Sequence, residues 1–195
     1  MAPLRDITGV VLAGGQSTRF GRNKALVKWQ GQFLIQHVIN ALTAVLDECF
    51  LVTNTPATYA FLDLPMIADR YKNQGPLAGI DAALHHCRTP WIFAVACDMP
   101  ALSPELITFL CGLAGKGADA VIPWLATGPE PLCGLYHENA RHTIAGQLQA
   151  SKGRLKDLLD KLAVRRVLEE EMPALAASAR LLANVNRETD LEKLS

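Results

Sequence analysis

The first place where this sequence can do chemistry is a glycine bend followed by two cations. In Val10-Val11-Leu12-Ala13-Gly14-Gly15-Gln16-Ser17-Thr18-Arg19-Phe20-Gly21-Arg22-Asn23-Lys24, an apolar run breaks at a glycine pair, and an arginine and a lysine follow at fixed spacing. Adjacent glycines let the backbone take positive φ and turn its N–H groups toward one point, with no Cβ to hold a ligand away. Arg19 offers phosphate oxygens a planar fork of donors, and Lys24 offers a compact charge on a flexible stem. Both can reach one triphosphate.

Order excludes two better-known phosphate loops. A P-loop needs Ser or Thr directly after its lysine, and here Ala25 follows Lys24. A dinucleotide fingerprint needs G-x-G-x-x-G, which Gly14-Gly15-Gln16-Ser17-Thr18-Arg19 does not supply.

A second anchor is Asp98, in Cys97-Asp98-Met99-Pro100. A carboxylate directly after an apolar strand is costly to desolvate unless it is paired, and magnesium bridging it to nucleotide phosphates is a natural pair. Asn54 and Asp69 also end predicted strands, where they can bond a base edge or ribose hydroxyl or simply form turns. Gly75-Pro76-Leu77-Ala78-Gly79 can press backbone against a flat base or merely start a helix. Asn184 and Asn186 can complete a magnesium shell through a neutral oxygen, or cap a helix. Lys152 and Arg154 form a small basic loop, suited to a second anionic substrate or to solvent. His85-His86 is not a metal pair, because adjacent helical residues point apart. No Ser-His-Asp or Cys-His arrangement is suggested. None is needed if the acceptor is itself a phosphate, whose second ionisation at about pH 6 makes it a nucleophile near neutrality.

The elements that must position these residues follow from pattern. Ile7 to Leu12 and Trp91 to Cys97 read as strands buried on both faces, with shorter strands at Cys49 to Thr53 and Met66 to Ala68. Between them, Ile35, Val38, Ile39, Leu42, Val45 and Leu46 fall on one helical face, Thr55-Pro56 starts a short helix, and Gly75-Pro76 opens another. Ser103-Pro104 caps a further helix. This βα alternation implies a three-layer α/β fold, Rossmann-like, with a mostly parallel central sheet whose strand ends bring Asn54, Asp69, Asp98 and the glycine bend to one edge. Ala25 to Trp29 reads as extended. Later, Ala118 to Trp124 and Pro131 to Tyr136 read as strands around a Gly128-Pro129-Glu130 turn, Glu138 to Ala150 as a helix, and Leu155 to Leu162 as an amphipathic helix. Ala163 to Leu168 and Leu181 to Ala183 read as strands, and Thr189 with Glu192 as a capping box.

Composition sets the outer bounds. The 195 residues suit a single domain spanning 1–195; 50% are hydrophobic, 19% charged, and the formal net charge is zero. That balance argues against a nucleic-acid partner. No run is long enough for a membrane span and the N-terminus lacks a signal-peptide shape, so a cytoplasmic location is expected. The five cysteines are widely spaced without a C-x-x-C pair and read as reduced core thiols.

Together, Leu12-Ala13-Gly14-Gly15 with Arg19 and Lys24, Gly75-Pro76-Leu77-Ala78-Gly79, Cys97-Asp98-Met99-Pro100, Pro131-Leu132-Cys133-Gly134-Leu135-Tyr136 and Asn184-Val185-Asn186 resemble the MobA family of molybdenum cofactor guanylyltransferases, within the nucleotidyltransferase superfamily. The resemblance implies transfer of GMP from GTP to the phosphate of molybdopterin, with release of pyrophosphate. Leu12, Ala13, Gly14, Gly15 and Lys24 would bind GTP, Asp69 and Asn54 would contact the nucleotide, and Asp98 would hold magnesium. Gly75, Pro76, Leu77, Asn184 and Asn186 would complete the substrate sites. Arg19 and the glycine-bend amides would hold the β- and γ-phosphates while Lys24 steadies the α-phosphate. Molybdoenzymes or their chaperones are further partners on this reading. The alternatives are a relative using CTP or a sugar phosphate, and a nucleotide-binding maturation factor without catalysis. One departure stands out: the family commonly has Asp before the signature lysine, and this chain has Asn23.

Overall fold

The computed structural model describes residues 4–14, 23–115, 117–150, 154–172, 180–187 and 189–192. Gly15, Arg19 and Lys152 therefore lie outside the described residues. The first strand, β1 (Ile7–Leu12), is buried along its whole length, as its uncharged run requires. A 3-10 turn at Lys24–Leu26 precedes the hairpin β2 (Lys28–Trp29) and β3 (Gln32–Phe33), so the expected extended piece from Ala25 begins as a tight turn. Gln30 and Gly31 both take positive φ, 47° and 84°, the left-handed pair that closes a two-residue hairpin. Then follow α1 (Leu34–Thr43), β4 (Cys49–Val52), α2 (Pro56–Tyr59), β5 (Met66–Ile67), α3 (Pro76–His86) and β6 (Trp91–Ala96). Next is α4 (Pro104–Gly112), where the Ser103 hydroxyl accepts from Leu106 N at 3.3 Å as the Ser-Pro start predicts.

The later chain departs from expectation in five places. After β7 (Ala120–Leu125), Gly128–Pro129 is a short strand, β8, folded back onto β7, where the sequence suggests only a turn. Beyond β9 (Cys133–His137), a 3-10 turn leads into α5 (Arg141–Gln149), and α6 (Leu155–Leu159) stops before Leu162. After β10 (Val164–Leu168), residues 181–183 form no strand, because no sheet edge pairs with them. Thr189 is the first residue of α7 (Thr189–Glu192) and not its cap; the Asp190 carboxylate accepts from Asn186 N and Arg187 N, both at 2.8 Å.

The main sheet runs β10-β7-β9-β6-β1-β4-β5, with β8 on the side of β7. Its pairings are parallel except where β9 meets β6 and β7, and where β8 meets β7. Side chains alternate between two cores, as strand geometry dictates. Val11, Phe93 and Val95 face α1 and α4, while Val10, Ile92 and Ala94 face α3, α5 and α6. Among the described residues, no helix is long and apolar enough to cross a membrane.

Gly134 marks a crossing where backbone itself leaves no room for a side chain. In β9, a Cβ there would stand 2.7 Å from Val121 O and 2.7 Å from Ile122 Cδ1, and the backbone oxygen cannot step aside. Gly134→Ala should therefore destabilise the fold by about 1–3 kcal/mol, read as a lower urea midpoint. An unchanged midpoint would show that the two strands separate without penalty.

Candidate active site

Sheet register is what assembles the site. Leu12 lies level with Val52 and Ala96, and Val52 with Ile67. Gly14, Asn54, Asp69 and Asp98 each sit two residues beyond one of those level positions, so they emerge along one edge. Backbone bonds carry the alignment past the strands: Ala13 N to Val52 O at 3.0 Å, Thr53 N to Ile67 O at 2.8 Å, and Cys97 N to Leu12 O at 3.3 Å. The edge opens into a cavity of about 1430 Å³. Leu12, Ala13, Gly14, Asn54, Asp69, Gly75, Pro76, Asp98, Asn184 and Asn186 all line it. Leu77 does not; its side chain is fully buried in the core beneath α3. Arg154 is exposed and absent from the cavity wall, its carbonyl accepting from Gln147 Nε2 at 2.7 Å.

Lys24 heads its 3-10 turn and, though not itself on the cavity wall, bonds two residues that are. Its Nζ pairs with Asp98 Oδ2 and donates to Asn186 Oδ1 at 2.9 Å. The two charged side chains are only 14% and 17% exposed, so their attraction is little screened. The other carboxylate oxygen, Asp98 Oδ1, is buried with no hydrogen-bond partner among the described residues. The Asp98 carbonyl accepts from Val185 N at 2.9 Å, which fastens the Asn184-Val185-Asn186 segment beside it. Asn184 Nδ2 in turn reaches Glu130 Oε2 at 3.5 Å. Burial raises the Glu130 pKa, with Asn184 and Lys156 pulling it back and the Asp98 charge pushing it further up.

On the opposite wall, Asn54 Nδ2 donates to Asp69 Oδ2 at 2.8 Å while Asp69 N donates to Asn54 Oδ1 at 3.1 Å. This reciprocal clasp holds the carboxylate beside Gly14, where a Cβ would lie 3.9 Å from Asp69 Oδ2. Burial raises the Asp69 pKa and Asn54 opposes the rise. The two glycines of the G-P-L-A-G segment serve different ends. Gly75 takes φ +66°, a conformation costly to other residues, as α3 begins. Gly79 lets α3 press on the strand ends, where a Cβ would meet Leu12 Cδ2 at 3.0 Å and Asp69 Oδ1 at 3.6 Å.

Just below this wall, Asp81 is fully buried; Arg70 Nη1 lies 3.4 Å from its Oδ2 and His85 Nδ1 3.4 Å from its Oδ1, which has no hydrogen-bond partner among the described residues. Burial raises its pKa from the ordinary 3.8, with His85 and Arg70 opposing. The native state therefore keeps this proton to higher pH than the unfolded chain does, and the stability it contributes is lost as pH rises from 3.8 through the raised value. The stability of wild type relative to Asp81→Asn should fall between pH 4 and pH 8 in urea titrations. A pH-independent difference would contradict this.

The remaining candidates stay outside the chemistry. His85 Nδ1 lies 2.8 Å from the Asp81 carbonyl and His86 packs edge-on against Phe50. The five cysteines form no disulfide; burial pushes Cys49 and Cys87 up to about 11, and Cys97 and Cys111 up to about 12, so these four are neutral thiols at physiological pH. Among the described residues, no group of three His, Cys, Asp or Glu is placed to hold a metal by itself. The sequence marks Asn23 only as a departure from the family pattern and gives no sign of Tyr59, though both line the cavity, nor of Glu130 behind it. Asn23 carries a signal, since it adjoins the signature lysine; Tyr59 and Glu130 carry none.

Comparison with known proteins places this architecture. The solved structure of molybdopterin-guanine dinucleotide biosynthesis protein A from Archaeoglobus fulgidus is similar at a TM-score of 0.81 and 27% identity, covering 96% of each chain. A nucleotidyl transferase from Methanothermobacter is similar in fold, with a TM-score of 0.74 at 20% identity over 96% of this chain and 95% of that one. The fold is that of the nucleotidyltransferases. A Carboxydothermus hydrogenoformans protein named "Probable molybdenum cofactor guanylyltransferase" is 34% identical over 191 residues, 98% of this chain and 96% of that one. Residues 9–170 match the model of the MobA-like NTP transferase domain, and the chain belongs to that family.

Proposed function

We propose that this chain transfers GMP from GTP to the phosphate of molybdopterin, forming the guanine dinucleotide cofactor. Sequence likeness over nearly the full length to relatives bearing that guanylyltransferase name supports the reading. The observation that carries it is the convergence of Lys24, Asp98 and Asn186 on one cavity edge with Gly14. A cavity of about 1430 Å³ leaves room for a nucleotide and a second substrate together.

An oxygen of the acceptor phosphate attacks the α-phosphorus of GTP in line, the α–β anhydride bond breaks, and its electron pair leaves with pyrophosphate. The Gly14 bend and Arg19 bind the outer phosphates, and Lys24 holds the α-phosphate and the leaving oxygen. The Asn54–Asp69 clasp and the Gly75-Pro76 turn orient the nucleoside. Asn184 and Asn186 stand where the acceptor enters. Magnesium fits Asp98, because the unpartnered Oδ1 is a buried hard oxygen with free lone pairs. When bound, the ion supplies neutralisation of phosphate charge. The work of the chain's own residues is positioning.

Incubation with GTP, magnesium and molybdopterin, followed by mass detection of the dinucleotide and of pyrophosphate, tests this. Product with CTP or a sugar phosphate in place of the expected pair would reassign the substrates. Tight GTP binding without turnover would reduce the chain to a maturation factor.

A further inference from the structure

We infer that Asn23 and Tyr59 form a positioning pair that fixes Lys24 for the transfer step, an inference that rests on the guanylyl-transfer reading above. Lys24 carries a long flexible stem, and the element that bears it is a three-residue 3-10 turn, too short to hold a direction unaided. That turn is capped by Asn23, whose Oδ1 accepts from Ala25 N at 3.1 Å. The Asn23 side chain is in turn held from the far side. Its Nδ2 lies 3.0 Å from the Tyr59 hydroxyl, and that hydroxyl lies 3.3 Å from Asn23 Oδ1.

Tyr59 is a firm anchor for this bond. Only 3% of its surface is exposed, and it packs in the core shared with α1 and β1. Burial raises the phenol pKa, so the hydroxyl keeps its proton. The segment that carries it begins at Asn54, the residue that clasps Asp69. One stretch of chain, from Asn54 to Tyr59, therefore grips both Asp69 and, through Asn23, the turn that carries Lys24.

The pairing also accounts for the departure at position 23. A carboxylate there would take bonds from Ala25 N and from a donating tyrosine hydroxyl. An amide keeps the cap through its oxygen and offers a donor instead. A hydroxyl serves both, since it donates and accepts. Asn23 and Asp are thus interchangeable at this position as long as Tyr59 supplies the hydroxyl.

Tyr59→Phe removes one oxygen and keeps the ring. With wild type forming dinucleotide as the control, the variant should lose on the order of tenfold in kcat, with KM for GTP unchanged and a melting temperature close to wild type. Asn23→Ala should show the same split, Asn23→Asp should retain turnover, and Asn23→Ala with Tyr59→Phe should be no slower than either alone. Wild-type kcat in Tyr59→Phe, a rise in KM that accounts for the loss, or additive losses in the double variant would overturn the pair. A wild type without product would instead sink the functional reading. The pair is then judged by the ¹³C-labelled Lys24 side chain in NMR: a shift toward free-lysine values in Tyr59→Phe is expected, and an unshifted signal refutes the proposal.

Discussion

Replacing Lys24 by alanine should lower dinucleotide formation by on the order of 10³-fold while the far-UV spectrum stays that of wild type. The size follows from where the charge sits. At 14% exposure, Lys24 meets a developing phosphate charge in a poorly screened setting, and its direction is fixed beforehand by bonds to Asp98 and Asn186. Removing it deletes an interaction that strengthens as the leaving oxygen gains charge, so kcat should fall more than KM rises. The side chain is not part of either main hydrophobic core, and the Asp98 it leaves behind lines the cavity, where water can reach it. Turnover within about threefold of wild type, measured by pyrophosphate release, would remove Lys24 from the mechanism.

Asp98→Asn should produce a loss of comparable size with a different signature. The amide keeps the shape and one neutral oxygen but gives up the charge, and neutral oxygens are weak partners for magnesium. We expect activity reduced by on the order of 10³-fold and a magnesium requirement displaced to much higher concentration, read from rates across a magnesium series. Wild-type magnesium dependence would exclude Asp98 as the metal-holding residue. Because Lys24 and Asp98 meet directly, Lys24→Ala combined with Asp98→Asn should cost little more than the worse single change. Additive losses would mean that the two act on separate steps.

The sheet was readable where burial leaves a continuous mark. The uninterrupted apolar runs of β1 and β6 match strands buried along their whole length, and the bends after them match the cavity edge. Ser103 was readable because its hydroxyl acts within its own turn. Features made by distant partners left no such mark. Gly128–Pro129 becomes a strand only because β7 lies beside it, and Ala25 is drawn into a tight turn by the Asn23 cap. Residues 181–183 are apolar but not β-branched, and they find no edge to join. At the site, Asp69 was foreseen as a polar strand end, whereas its clasp by Asn54 requires register between two strands that the sequence does not display. In sequence Glu130 is only turn punctuation, and the fold alone sets it behind Asn184.

The bond from Lys24 to Asn186 spans 162 positions of sequence, and the one to Asp98 spans 74. A nascent chain emerging from the ribosome thus has its glycine bend and lysine long before it has their last companion. The cation acquires its full set of restraints only after residue 186 has emerged. A chain cut short before residue 186 would leave the lysine with only one of its two bonded companions.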